Sequence, residues 1–201
     1  MIRRFDTAVL PAAPWKNGGG STREIASWPA GAGLDGFDWR VSIATIDASG
    51  PFSVFAGVDR TIMLLEGDGV RLQAQGLDHR LDRPQDAFAF SGDLAIHCTP
   101  LGGPSSDFNV MTRRSRLRAD LRLMRGAAVL ETAPHGLLMS LHGEWLAGDE
   151  ALAPGEGLWW ADAPNAWRLA PAGIDSRLVC VRWWPRAEAA WTVTNPTAPK
   201  P

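Results

Sequence analysis

The side chains in this chain that could do chemistry sit at alternate positions in otherwise apolar segments: Thr22 and Glu24, Arg40 and Ser42, Asp107 and Asn109, with Arg60 standing alone. Residues two apart on a strand share a face. If those faces turn inward, two arginines, two acids and an amide meet in one interior. Buried charge persists only when it is paired, hydrogen-bonded or used to hold something. One chemistry open to this set is recognition of a small polar acid, with Arg40 or Arg60 forking the carboxylate and Asn109 and Thr22 completing the shell. The other reading is that the faces meet solvent, or that Arg40 or Arg60 pairs structurally with Glu24 or Asp107. A run of Trp15-Lys16-Asn17-Gly18-Gly19-Gly20 leads into the first of these segments. Three glycines suit tight curvature or close backbone approach, so the run reads as a lip presenting Trp15, Lys16 and Asn17 to a ligand; the plainer reading is a flexible turn.

Other chemistries find little support. A transition-metal site needs three or four donors on one point. The four histidines, His79, His97, His135 and His142, form no His-x-His pair, and only His135 and His142 with Glu144 can be nominated as a set. No metal and no cofactor are therefore expected, and His97, in an apolar segment, reads as a core histidine. There is no Gly-x-Ser-x-Gly elbow, and Gly67-x-Gly69 precedes a strand rather than a helix. Cys98 and Cys180 lie in apolar runs and read as buried thiols. Arg113, Arg114, Arg116, Arg118, Arg122 and Arg125 cluster, but alternation makes Arg116, Arg118 and Arg122 a solvated strand face, with no stacked aromatics beside it for RNA.

The elements that must position these residues are short strands. Alternation over 38–46 puts Trp39, Val41, Ile43 and Thr45 on one face; over 22–27 it puts Thr22, Glu24 and Ala26 together. Further strands are expected at 61–65, 70–74, 79–81, 87–90, 93–99 and 107–113, then at 116–123, 137–141, 152–160, 167–169 and 177–184. Turns such as Glu66-Gly67-Asp68-Gly69 separate them, and no long helical period occurs. Both halves run strand, Gly-acid turn, strand, Pro-containing turn, strand: Leu64-Leu65-Glu66-Gly67-Asp68-Gly69 with Phe88-Ala89-Phe90-Ser91-Gly92-Asp93, and Leu141-His142-Gly143-Glu144 with Pro154-Gly155-Glu156. This pattern resembles a cupin double-stranded barrel duplicated in one chain, an all-β bicupin with halves near 10–114 and 115–191 and a loose tail at 192–201. The 201 residues suit one such unit. The net charge of −2 gives no global case for nucleic acid or membrane partners, and no run of signal or membrane-spanning length is present, so a cytoplasmic protein is expected. The Trp-rich second half, with Trp145, Trp159, Trp160, Trp167, Trp183, Trp184 and Trp191, offers a possible homodimer face.

Four motifs in order carry a more specific resemblance: Trp15-Lys16-Asn17-Gly18-Gly19-Gly20-Ser21-Thr22-Arg23-Glu24-Ile25; Phe37-Asp38-Trp39-Arg40-Val41-Ser42-Ile43-Ala44; Gly50-Pro51-Phe52-Ser53 with Gly57-Val58-Asp59-Arg60; and Asp107-Phe108-Asn109-Val110-Met111 with Arg113. Together they resemble the HutD/Ves family. The resemblance implies an RmlC-like bicupin fold and a regulatory role beside bacterial histidine utilisation, rather than a step in the pathway. It also implies a small carboxylated ligand such as urocanate or N-formylglutamate. The motif positions it carries over are Trp15, Asn17, Thr22, Glu24, Arg40, Arg60, Asp107 and Asn109, with Lys16 between the first two. The competing expectation is a metal-independent isomerase or lyase with Glu24 or Asp107 as general base.

Overall fold

The structure, a computed structural model, describes residues 1–186; the tail at 192–201 and Trp191 lie outside them. The strands run β1 (Ile2–Asp6), β2 (Ala12–Pro14), β3 (Gly20–Trp28), β4 (Trp39–Ile46), β5 (Gly50–Pro51), β6 (Val58–Glu66), β7 (Val70–Ala74), β8 (Leu77–Leu81), β9 (Ala87–Ser91), β10 (His97–Pro100) and β11 (Ser105–Arg113), with one short helical turn, α1 (Gly33–Gly36), after β3. They continue as β12 (Leu117–Met124), β13 (Ala128–Ala133), β14 (His135–His142), β15 (Trp145–Ala147), β16 (Glu150–Leu152), β17 (Glu156–Trp160), β18 (Asn165–Pro171) and β19 (Arg177–Pro185). No helix among the described residues is long and apolar enough to cross a membrane.

Four antiparallel sheets result. The first half builds a six-stranded sheet, β2-β3-β4-β11-β6-β9, faced by a four-stranded one, β5-β10-β7-β8. The second half builds β1-β17-β14-β19-β12 faced by β13-β18-β15-β16. Each pair encloses its own apolar interior, and the two larger sheets pack back to back. That seam is the main core: Trp39, Val41, Ile43, Met63, Phe108 and Val110 meet Leu137, Met139, Trp159, Val179, Val181 and Trp183. At its centre Trp39 stacks on Trp183 with centroids 4.6 Å apart, and Trp159 meets Trp39 edge-on at 5.9 Å. Trp183 Nε1 donates to Thr112 Oγ1 across the seam at 2.9 Å, so the indole is buried without leaving its donor unpaired.

The alternation on β4 holds, because both of its faces are covered and register is then strongly specified. Strands β1, β2, β5, β13 and β15 fall outside the segments expected from alternation. β1 crosses over to pair with β17 of the second half. On β3 the expected face fails at one place. A bulge between Glu24 and Ala26 sends Ile25 and Ala26 together into the seam, so Ala26 does not share a face with Thr22 and Glu24. His97 is exposed on β10 rather than buried; the buried histidine is His135, beside Trp28 and Trp39 in the seam. The tryptophans expected on a dimer face are core groups: Trp145, Trp160 and Trp183 are at most 1% exposed. Trp184 is half-buried between the guanidinium groups of Arg118 and Arg182.

Candidate functional site

Register places the chemistry. On β11, Phe108 and Val110 face the seam, so Asp107, Asn109 and Met111 face the interior of the first barrel. Met111 lies opposite Arg40 on β4 and Arg60 on β6; Asn109 lies opposite Ser42 and Ile62; Asp107 lies opposite Ala44 and Leu64. Beyond β4, Glu24 lies opposite Ser42 and Thr22 opposite Ala44. The polar positions read from alternation thus share the barrel-side face of one sheet.

Their partners differ sharply. Arg40 is held by Glu24, Nε to Oε2 at 2.6 Å, with Glu24 half-exposed at the rim and bonded also by Ser27. Arg60 is 8% exposed and has no carboxylate partner among the described residues. One guanidinium nitrogen donates to Asn109 Oδ1 at 3.3 Å and another reaches Ser53 O at 3.5 Å, while Nε is buried with no partner. Three rings surround it: Phe52 and Phe90 with centroids 5.1 Å away, and Phe55 at 5.7 Å. Each desolvated cation–π contact contributes up to about 2 kcal/mol, yet burying an ion costs several. Burial, then the charge of Arg40, pulls the Arg60 guanidinium down to about 10, which leaves it cationic at neutral pH.

Asp107 is the opposite case. It is 1% exposed, and among the described residues both carboxylate oxygens lack a hydrogen-bond partner. Burial pushes its carboxyl up to about 7. The Ser42 hydroxyl is likewise buried without a partner. Cys98 projects from β10 into the same space, and burial, aided by the charge of Asp107, raises its thiol to about 12, so it is no nucleophile at neutral pH. The interior therefore carries an unpaired cation at one level, an amide at the next and an unpaired acid beyond it.

The glycine run forms part of the wall. A Cβ on Gly20 would lie 2.2 Å from Thr45 O, so only glycine permits β3 to lie this close to β4. Trp15 folds back over it, donating from Nε1 to Thr22 Oγ1 at 2.8 Å and meeting Phe52 edge-on at 6.4 Å. Trp15 thereby joins the aromatic cage of Arg60 through Phe52. Lys16 and Asn17 remain exposed, and Asn17 Oδ1 accepts from the Gly19 amide at 3.1 Å, closing its own turn. The structure thus brings Trp15, Thr22, Arg40, Arg60, Asp107 and Asn109 to one barrel, puts Glu24 at its rim, and leaves Lys16 and Asn17 outside. Sequence reasoning missed Phe52, Phe55 and Phe90 as the cage, because two of them lie in an irregular loop with no periodicity to read.

The second barrel is an internal comparison. Gly136 on β14 takes the register place of Arg60, lying opposite Trp160 and Arg182 as Arg60 lies opposite Phe90 and Met111. Cys180 and Leu178 correspond to Asn109 and Asp107 in the same way. The Trp160 ring fills the space over Gly136, where a Cβ would come within 2.2 Å of it. The second barrel also buries a guanidinium, Arg182, at this level, but there Asp120 accepts from it at 3.1 Å. The first barrel's donors, one carboxylate, an amide, a hydroxyl and a thiol beside two guanidinium groups, do not suit a transition metal, which the arginines would repel. Among the described residues no three of His, Cys, Asp and Glu come together as a metal-binding group, so His135, His142 and Glu144 do not converge.

The arginines of 113–125 are largely structural. Arg113 donates to the carbonyls of Asp35, Phe37 and Ala56, Arg114 binds Asp59 and Asp93, and Arg116 binds Asp38.

Comparison with known proteins places this geometry. The family model described as HutD matches residues 7–176. Protein Ves of Cronobacter sakazakii is 38% identical over 84% of this chain and 92% of its own length. A 21.2 kDa protein of the hutC 3′ region of Pseudomonas putida is 48% identical over 64% of this chain and 67% of its own. Among solved structures, HutD from Pseudomonas fluorescens SBW25 superposes with a TM-score of 0.82 at 34% identity, covering 92% of this chain and all of that one (100%). A cupin 2 barrel protein from Leptotrichia buccalis, 9% identical over 90% of this chain and 95% of its own, superposes with a TM-score of 0.59 and speaks for the fold alone.

Proposed function

Because the chain belongs to the HutD family, we propose that it is a cytoplasmic regulator of histidine utilisation that binds a small carboxylated pathway intermediate, such as urocanate or N-formylglutamate, in its first barrel. The supporting observation is the Arg60 guanidinium, buried in a cage of three phenylalanines, with an unpartnered Nε and no acid of its own among the described residues. A ligand carboxylate supplies the missing counter-charge in a dry site, where a forked pair is strong. Arg40 adds a second positive charge nearby, and Asn109 holds the Arg60 fork in position. Trp15 and Phe52 close the wall. Isothermal titration with urocanate, N-formylglutamate and histidine tests the reading. Saturable heat is expected with at least one of the three, and it should be lost in Arg60→Met. No heat with any of them at millimolar concentration would remove the ligand assignment.

A second reading rests on Asp107. A buried carboxyl held up to about 7 with both oxygens free is suited to act as a general base near neutral pH. In that reading the chain is a metal-independent isomerase or lyase acting on a similar acid. Glu24, already committed to Arg40 at the rim, is not placed for that role. Following the same three compounds by NMR in the presence of the protein separates binding from turnover.

A further inference from the structure

A cleft of about 470 Å³ opens at one end of the seam between the halves, away from the barrel interior. Its apolar floor comes from both larger sheets: Ile43 and Leu65 from the first half, Met139 and Leu141 from the second. Its polar groups include Arg23, Ser106 and Gln85. The volume lies in the range of small-molecule sites; the cleft exposes more polar than apolar surface, with Leu65 and Leu141 over the nearly buried Ile43 and Met139 as its apolar part.

Two features give the cleft its character. Arg40, Arg71, Arg114 and Arg182 each hold a carboxylate, whereas the half-buried Arg23 guanidinium has no ion pair or hydrogen bond among the described residues. The second feature is a bulge. Ser106 lies opposite Glu66 while Asp107 lies opposite Leu64, so Leu65 is an extra residue on β6. Bulges re-aim side chains next to sites, and this one turns Leu65 to the cleft while keeping Leu64 and Asp107 on the barrel side. Glu66 also lines the cleft, from a strand three places away in the sheet, and forms no ion pair with Arg23 among the described residues.

We propose that the seam cleft is a second binding site, separate from the barrel, for a small carboxylate with an apolar body, its anionic group taken by Arg23 and its body laid on Ile43, Leu65, Met139 and Leu141. The inference does not rest on the barrel reading. It places two sites on opposite faces of one sheet: Arg23 between Thr22 and Glu24, Ile43 beside Ser42, and Ser106 beside Asp107. The ligand also touches both halves, which the barrel ligand does not.

The probe is benzoate, a carboxylate on a flat apolar ring, titrated into Arg60→Met protein so that the barrel cation is absent, with amide shifts recorded by NMR. Millimolar benzoate should shift residues around Arg23, Leu65, Ser106 and Leu141. Affinity should fall about tenfold or more when Arg23→Gln is added, and the neutral isostere benzamide should bind at least about tenfold more weakly than benzoate. The same map in the unaltered protein distinguishes the two sites by position should the Arg60 variant fold poorly. No shifts at the cleft, equal binding of benzamide, or an unchanged affinity with Arg23→Gln would overturn the proposal. Absence of barrel shifts in the unaltered protein, with the cleft shifts in place, would count only against the barrel assignment.

Discussion

Arg60 and Gly136 hold the same register position in the two barrels, one opposite Phe90 and Met111, the other opposite Trp160 and Arg182. In the second barrel an indole occupies the space, and the buried Arg182 has a carboxylate partner in Asp120. In the first, a buried cation stands with incomplete partners. The duplicated fold thus keeps one half as a packed body and the other as a candidate binding site.

A cation buried without a counter-charge costs folding free energy in the free protein. Arg60→Met should therefore leave the protein as stable as before or more so, by up to about 1–4 kcal/mol, while weakening carboxylate binding by roughly 2–5 kcal/mol. Urea denaturation and calorimetry on the same preparations give both values. Marked destabilisation with binding intact would make Arg60 a structural residue.

Asp107 should make stability fall as pH rises. Its folded pKa of about 7 lies above the unfolded value of 3.8, so the folded chain holds the extra proton between them. Its contribution is full below about 4 and lost as pH rises through 7. Asp107→Asn should be more stable than the parent at pH 8, by about 1–3 kcal/mol, with the gap closing on acidification to pH 5. Denaturation midpoints at the two pH values decide it; a gap independent of pH would count against burial as the cause.

His135 should act with the opposite sign. Burial in the seam lowers its pKa below the usual 6.5, against the pull of Asp162 and Asp38 and with a smaller push from the chain's amino terminus. The unfolded chain then takes up a proton that the folded one refuses, so stability is full above 6.5 and lost as pH falls below it. His135→Gln should flatten that part of the curve between pH 7 and 5.5, as read by thermal unfolding; a variant with the parent's slope would exclude His135 as its source.

Gly136→Ala places a methyl group 2.2 Å from the Trp160 ring, which is fully buried and whose Nε1 is tied to Ala133 O at 2.9 Å. Overpacking of this kind should destabilise by about 1–3 kcal/mol. Carboxylate binding in the first barrel should persist, since the change lies across the seam. A destabilised variant with normal binding by calorimetry is the expected pair of results.

Much of the site was legible one strand at a time. Thr22, Arg40, Asp107 and Asn109 stand at alternate positions, and a strand covered on both faces has only two directions in which to send them. Arg60 was visible as a lone charge ahead of the apolar run 61–65. The cage of Phe52, Phe55 and Phe90 was not, because it joins an irregular loop to an edge strand through space. Asn17 and Lys16 looked like ligands from their place before the glycines, but Asn17 uses its side chain on the Gly19 amide. Ala26 left its expected face through a bulge, which adds one residue and carries no mark in a short alternating run.

By itself the sequence determined the all-β character, the duplicated rhythm, the family motifs and the two faces of each covered strand, because period-two patterning and turn residues are local properties. Which ion pairs form was decided only by tertiary structure. Glu24 reaches Arg40 and not Arg60, and Asp107 lies two register steps beyond Asn109 from Met111, the residue opposite Arg60, so the two buried charges stay apart. Pairing depends on register, on the side of the sheet and on what the facing sheet buries. Those are relations between segments far apart in the chain, and only the folded arrangement sets them.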